Sequence, residues 1–362
     1  MTDKETEVEA GRSIVDMSKG MQFGLYSLGD HMVHSMLGAP ISAEQRIGQL
    51  IEASKLAEDA GLDVFAIGES HQLYFTSQAH TVILGAIAQA TSKIKLSSSA
   101  TVLGVHDPVR IYEDFATLDL ISHGRAEIVA GRGSRIGAHE LFGYDLEQYE
   151  ELFEEKLELL LKINEASGPI SWAGQFRAPM RRAQILPQPK HGRLPIWRAV
   201  GGPPASAIKA GSAGVPMMLT TLGGPAIRFK EAVDEYRKAA AEHGHQPEQL
   251  PLATASLFYT AETTEAAVRE YYPYLNAGFT AIRRSGYPKQ QFDEAVDPHD
   301  ALMIGSPQLI IEKLLYQYEL YGQQRFMAQI DFGGVPFEKV MKNIELIGRD
   351  IVPALKKYTK QA

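Results

Sequence analysis

The chain has 362 residues, no cysteine, and 36 Lys plus Arg against 44 Asp plus Glu, a formal charge of −8. Without cysteine there can be no disulfide framework, thiolate metal site, iron–sulfur cluster or cysteine nucleophile. The acidic balance leaves no surplus of cations to neutralise a nucleic-acid backbone, and no run of about 18 apolar residues is available to span a bilayer, so no nucleic acid and no membrane are expected as partners.

Residues 1–20 mix charged and small residues without the apolar stretch of a signal peptide. They read as a mobile N-terminal extension of a cytoplasmic protein, with a single domain over 21–357. MQFGLYSL, from residue 21, reads as a buried strand. Ser42 and Gln45 form a capping-box pair at the start of a helix whose apolar positions include Ile47, Leu50, Ile51 and Ala57, and Gly61 ends it. LDVFAIGESH (62–71) is a second strand. Helical spacing then marks 77–91, 108–122 and 148–166, with strands at 94–103 and 126–131 between them. An irregular stretch covers 167–193. The alternation resumes with LPIWRAVGG, a helix near 204–213, VPMMLTTLGG, a helix near 225–243, PLATASLFYT and a helix near 264–276. Residues 277–304 fit neither period. SPQLIIEKLLYQYELYG is helical, RFMAQIDFGG a strand, and 336–356 a final helix.

Eight strand-plus-helix units imply parallel strands with right-handed crossovers, and near-continuous apolar strands suit a sheet covered on both faces. The expected fold is an α/β (β/α)8 TIM barrel with loop insertions. An open doubly wound sheet ranks behind it, since no G-x-G-x-x-G follows the first strand.

In such a barrel chemistry collects where strands end. Those ends carry Asp30, His31 and His34; Glu69, Ser70 and His71; His106; Gly131, Arg132, Gly133, Ser134 and Arg135; Gly201, Gly202 and Ser206; and Asp331. Arg132 between glycines, and Gly201-Gly202 before a helix, suit an anion such as the phosphate of a cofactor. The plainer alternative is that the glycines only make turns and Arg132 pairs with a nearby carboxylate. Glu69 and His71 share a face if the strand continues. With His31 and His106 they could serve a metal hydrolase, but the H-x-H expected on strand 1 is missing, and no metal is expected. His243 and His245 read as solvated surface.

Several strings resemble the bacterial luciferase-like, flavin-dependent monooxygenases: GESH at the end of strand 2, SSSATVLGVHDPVRIYEDFATLDLISHGRAEIVAGRGS, ELFGYDLEQYEELFEEKLELLLK, AVGGPPAS and DFGGVPFEKVMKNIELIGRDIVPAL. The resemblance implies a (β/α)8 barrel, a homodimer formed through early helices, and reduced FMN as cofactor. It places a non-prolyl cis peptide behind the flavin ring at Ser99–Ala100. The flavin phosphate goes to Arg132, Gly133, Ser134, Gly201, Gly202 and Ser206, and the reactive edge faces Glu69, Ser70 and His71. It implies oxygenation of a small organic substrate through a C4a-peroxyflavin, with electrons from a separate flavin reductase. His71 is then the proton-handling group, and Glu69 orients it or the flavin. Two departures stand out. Many relatives read E-H-H where this chain has Glu69-Ser70-His71, and the turn often written G-G-T-P-E-S here has Pro203 for Thr and Ala205 for Glu. An F420-dependent oxidoreductase on the same barrel and a non-catalytic flavin-binding relative are the alternatives. Loops 22–41, 167–193 and 277–304 are expected to shape the substrate pocket.

Overall fold

The computed structural model describes residues 14–32, 41–133 and 137–361. Eight parallel strands close on themselves: β1 (Gln22–Ser27), β2 (Val64–Ile67), β3 (Lys95–Ser98), β4 (Ala126–Gly131), β5 (Ile196–Val200), β6 (Met217–Thr220), β7 (Leu252–Thr260) and β8 (Arg325–Gln329). Each pairs with its neighbour in chain order, and β8 returns to β1 with Phe23 opposite Phe326 and Leu25 opposite Ala328. Closure removes the sheet edges that an open sheet would leave exposed. This is the (β/α)8 barrel that the alternation predicts.

The helices packed outside are α1 (Ala43–Asp59), α2 (His80–Ala90), α3 (Pro108–Ile121), α4 (Tyr149–Glu165), α5 (Pro204–Ser212), α6 (Lys230–Glu242), α7 (Thr264–Arg283), α8 (Pro307–Tyr321) and α9 (Phe337–Leu346). Local chemistry sets their starts. The Ser42 hydroxyl accepts from the Gln45 amide and the Gln45 side chain accepts from the Ser42 amide, a complete capping box. Asp107 caps α3 and Ser306 caps α8, each followed by proline at the first helical position.

Two layers of core follow. Leu25, Phe65, Ile67, Leu96 and Ile128 pack under the helices, whereas Tyr26, Val64, Ala66, Val129, Trp197, Met218 and Met327 fill the barrel interior. The interior also holds a charged group. Arg325 places Nη1 2.6 Å from Glu127 Oε2, Lys95 Nζ lies 2.8 Å from Oε1, and the Arg325 guanidinium lies over the Trp197 ring. Burial favours the neutral acid, but Arg325 and Lys95 outweigh it and bring the Glu127 carboxyl down to about 2.

Three sequence expectations change. The packed chain begins before Met21: Val15 is buried in the interior cluster, Lys95 Nζ donates to the Ile14 carbonyl, and the Gln361 amide donates to Met17. Of the expected N-terminal extension, 14–20 therefore packs against the barrel, and 1–13 lie outside the described residues. The helix expected to end near 276 continues to Arg283 despite Pro273, because Leu275, Gly278 and Phe279 still have a core face to bury. The irregular stretches also carry structure. Ile170–Trp172 pairs antiparallel with Met180–Ala183, and Met303–Gly305 adds to the end of β7.

Candidate active site

The carboxyl ends of β2 and β3 meet around one side chain. Gly68 allows the close approach, because a Cβ there would lie 2.1 Å from the Ser99 carbonyl oxygen. The Ser99–Ala100 peptide is cis. Just beyond it the Ala100 carbonyl accepts from the Glu69 amide at 2.9 Å. Glu69 is thereby turned inward, where its side chain is fully buried. Its Oε2 accepts from the Val102 amide at 2.7 Å, and its Oε1 lies 2.6 Å from both His71 Nε2 and His106 Nε2. A carboxylate can only accept, so both imidazoles donate from Nε2. Behind them His80 Nδ1 lies 3.8 Å from Oε2, while its Nε2 is 2.8 Å from the Thr101 hydroxyl oxygen.

The electrostatics follow from this packing. Burial alone would raise the Glu69 carboxyl, but hydrogen bonds from His106 and His71 and the nearby His80 outweigh it and hold the group ionised far below its usual range. His80 is buried and pushed down to about 4, so it is neutral near pH 7. Glu69, His71 and His106 offer three ligand atoms within 4.8 Å of one another, the one such group of His, Asp or Glu among the described residues.

The ends of β4 and β5 build a second centre. Helix α5 follows Gly201, Gly202 and Pro203 and opens on Pro204 without a side-chain cap; since neither proline carries an N–H, the amides its first turn offers a ligand are those of Ala205 and Ser206. The space at Gly201 and Gly202 is open too: a Cβ would meet nothing nearer than 3.7 Å. Cations surround this turn. Arg132 Nη1 is 2.6 Å from Glu150 Oε1, and Lys209 Nζ bridges Glu150 Oε2 at 3.8 Å and Glu154 Oε1 at 2.9 Å. Arg198 grips Glu154 through both terminal nitrogens and donates from Nε to the Ser206 hydroxyl at 3.3 Å. Arg132, Lys209 and Arg198 are thus each held by Glu150 or Glu154, and an incoming anion would compete with those carboxylates for them. Tyr149, at the start of α4, donates to the Gly133 carbonyl at 2.5 Å and lies under the Arg132 guanidinium.

The residues expected from sequence thus fall into two groups. Glu69, His71, Ser99 and Ala100 meet at β2 and β3; Arg132, Gly133, Gly201, Gly202 and Ser206 meet at β4 and β5. Ser134 and His34 lie outside the described residues. His31 is not part of either group and contacts the Ile41 carbonyl at 2.7 Å. His80, Tyr149, Glu150 and Glu154 are additions that the sequence did not single out. His106 was legible as a strand-end residue, but its link to Glu69 was not.

A third polar cluster ties β1 to β8. Asp331 binds Arg46 and the Ser27 hydroxyl, and Asp30 accepts from the Gly333 amide at 2.6 Å. Burial, reinforced by the Asp331 charge, pushes the Asp30 carboxyl well above its usual range despite Arg46. The pair joins two strand ends across the closure of the barrel.

The luciferase-like monooxygenase family profile matches residues 21–324 of the chain. The chain belongs to that family. Among curated luciferase-like relatives, the oxygenase component of a flavin-dependent trigonelline monooxygenase from Acinetobacter baylyi is 23% identical over 86% of this chain and 90% of its own. Among solved structures, a monooxygenase from Streptomyces bottropensis superposes with a TM-score of 0.81 at 23% identity, covering 92% of this chain and 99% of that one. The oxygenating constituent of 3,6-diketocamphane monooxygenase from Pseudomonas putida, in complex with FMN, gives 0.71 at 20% identity, covering 92% and 98%. The barrel is also shared with an F420-dependent secondary alcohol dehydrogenase, at 0.70 and 19% identity, covering 93% and 99%. Among the described residues, no helix is long and apolar enough to cross a membrane.

Proposed function

We propose that the protein binds reduced FMN at the carboxyl-terminal mouth of the barrel and uses oxygen to monooxygenate a small organic substrate. The observation that carries this reading is the pairing, at one end of one barrel, of an uncapped helix start ringed by cations with a buried carboxylate that holds two imidazoles. The phosphate of FMN would be held by Arg132, the Gly201-Gly202 turn, the Ala205 and Ser206 amides and the Ser206 hydroxyl, with Gly133 and Ser134 as further cofactor-binding residues. Ser99 and Ala100 would back the flavin ring.

Bound reduced FMN would supply two electrons to oxygen, of which one atom enters the substrate and the other leaves as water. The chain's own part is proton handling and exclusion of solvent. Glu69 fixes the Nε2–H form of His71 and His106, so a proton is held at a defined place. His71 is the group assigned to donate it, and Glu69 orients His71. A separate flavin reductase is proposed as the electron source, and a homodimer through α2 and α3 accords with the exposed Val82, Leu120 and Ile121 on those helices.

The phosphate assignment has a direct test by fluorescence titration. Arg132→Ala is expected to weaken FMN by about tenfold or more while riboflavin changes little, because a charge-assisted contact to phosphate contributes about 1.5–3 kcal/mol. Glu150→Gln is expected to act in the opposite direction and tighten FMN alone, since Glu150 occupies Arg132 when no phosphate is present. Equal losses for FMN and riboflavin on Arg132→Ala would remove Arg132 from the phosphate site. A second reading is an F420-dependent oxidoreductase, favoured by the barrel shared with the alcohol dehydrogenase. Tight binding of F420 without binding of FMN would select it.

A further inference from the structure

We propose that Glu69, His71 and His106 also form a site for one divalent transition ion of the zinc class, which binds at the two Nε2 atoms as each ring's Nε2 proton passes to its own Nδ1 or, from an imidazolium, to solvent. The donor set is two imidazoles and one carboxylate, whose three ligand atoms converge within 4.8 Å. A tetrahedral ion with bonds of about 2.0–2.2 Å holds its ligands about 3.3–3.6 Å apart, whereas both nitrogens lie 2.6 Å from Glu69 Oε1, so the ion enters only as the two rings turn away from that oxygen.

The surroundings are those of a braced ligand set. Glu69 Oε2 is fixed by the Val102 amide, with His80 behind it. The His71 ring stands edge-on to Phe142 at 5.0 Å, and the His106 ring lies 5.6 Å from the same phenyl. Outer contacts of this kind orient ligands and raise affinity. Two nitrogens and one oxygen suit zinc, cobalt or iron over calcium or magnesium, which prefer more oxygen ligands. Three protein ligands leave positions for water.

The ion takes the Nε2 lone pairs that the hydrogen-bonded state covers with protons, so the two states exclude each other. An ion at this site therefore blocks the proton handling assigned to His71 and inhibits turnover.

The test is titration of the full chain, without flavin, with cobalt(II) chloride while its visible absorption is recorded. One saturable equivalent with a ligand-field band, displaced by zinc(II), is expected. His106→Ala and, independently, His71→Gln should each weaken that binding by more than about 100-fold, beyond the roughly 10–100-fold that losing an outer-shell contact costs, with unchanged circular dichroism showing that each variant folds. Absence of a saturable band overturns the proposal. So does a band that survives both substitutions, which would place the ion elsewhere, such as at His243 and His245. Because no flavin is present, a negative result here leaves the FMN reading standing, and failure of FMN to bind leaves this site standing.

Discussion

His71→Ala is expected to leave the affinity for reduced FMN within about threefold and to slow coupled oxygenation by about 10²–10⁴-fold, the usual loss when a positioned proton donor is removed. The contrast comes from the geometry. His71 contacts Glu69 at the β2–β3 end, whereas the groups proposed to hold the phosphate lie at β4 and β5. Binding and proton handling are thus assigned to different strands. The readout is the ratio of product formed to oxygen consumed, measured beside a flavin titration. With His71 absent, reduced flavin should still react with oxygen, but hydrogen peroxide should replace oxygenated product. Unchanged coupled turnover would exclude His71 from the mechanism and shift the role to His106, which holds the same Glu69 oxygen and is more exposed.

The second large effect is on stability. Arg325→Met should lower the unfolding free energy by up to about 3–5 kcal/mol, because it removes the fully buried cation of the pair and leaves the buried Glu127 carboxylate with Lys95 alone. Glu127 would keep Lys95 at 2.8 Å and the Trp197 indole N–H at 3.2 Å, but lose the guanidinium that grips both its oxygens. A double variant that also carries Glu127→Leu should recover much of the loss, since an apolar pair of similar volume needs no compensation. Urea unfolding followed by far-ultraviolet circular dichroism measures both. The pH dependence has a definite sign. The folded carboxyl of Glu127 sits near 2 against an ordinary 4.5, so its stabilisation is present above about 4.5 and is lost as pH falls towards 2. In Arg325→Met that acid-sensitive part of the stability curve should shrink.

Much of the barrel was legible because a closed parallel sheet leaves a regular trace. Most strands are buried on both faces and read as apolar runs, β3 (Lys95–Ser98) being the clearest exception, and the return helices carry a 3.6-residue stripe. The capping box at Ser42 and Gln45 shows the same agreement at the scale of four residues. The trace fails where local pattern and tertiary packing part. Residues 277–283 lack a clean period, yet α7 runs through them because Phe279 meets Phe332 and Tyr287. Ile14 and Val15 look like part of a polar leader until Val15 finds the barrel interior.

The site was legible to a similar extent. Strand ends and glycine turns mark which residues reach the mouth, so Glu69, His71 and Arg132 could be named from their positions. Which loops then meet is a property of the closed barrel, not of spacing along the chain. His106 is 37 residues beyond Glu69 and still shares its oxygen with His71. Glu150 lies on a helix whose acidic face reads as solvated surface, and in the fold it reaches back to Arg132. The cis Ser99–Ala100 peptide was expected from family resemblance and not from any local signal.

The central claim is that this mouth binds reduced FMN and controls its reaction with oxygen. The most direct measurement is an anaerobic titration of the protein with reduced FMN, followed by rapid mixing with oxygen and recording of absorbance over time. Saturable binding is expected, with a transient spectrum distinct from both reduced and oxidised FMN that outlasts the reaction of free flavin. Failure to bind reduced FMN, or oxidation of the bound flavin at the rate and with the spectra of free flavin, would contradict it.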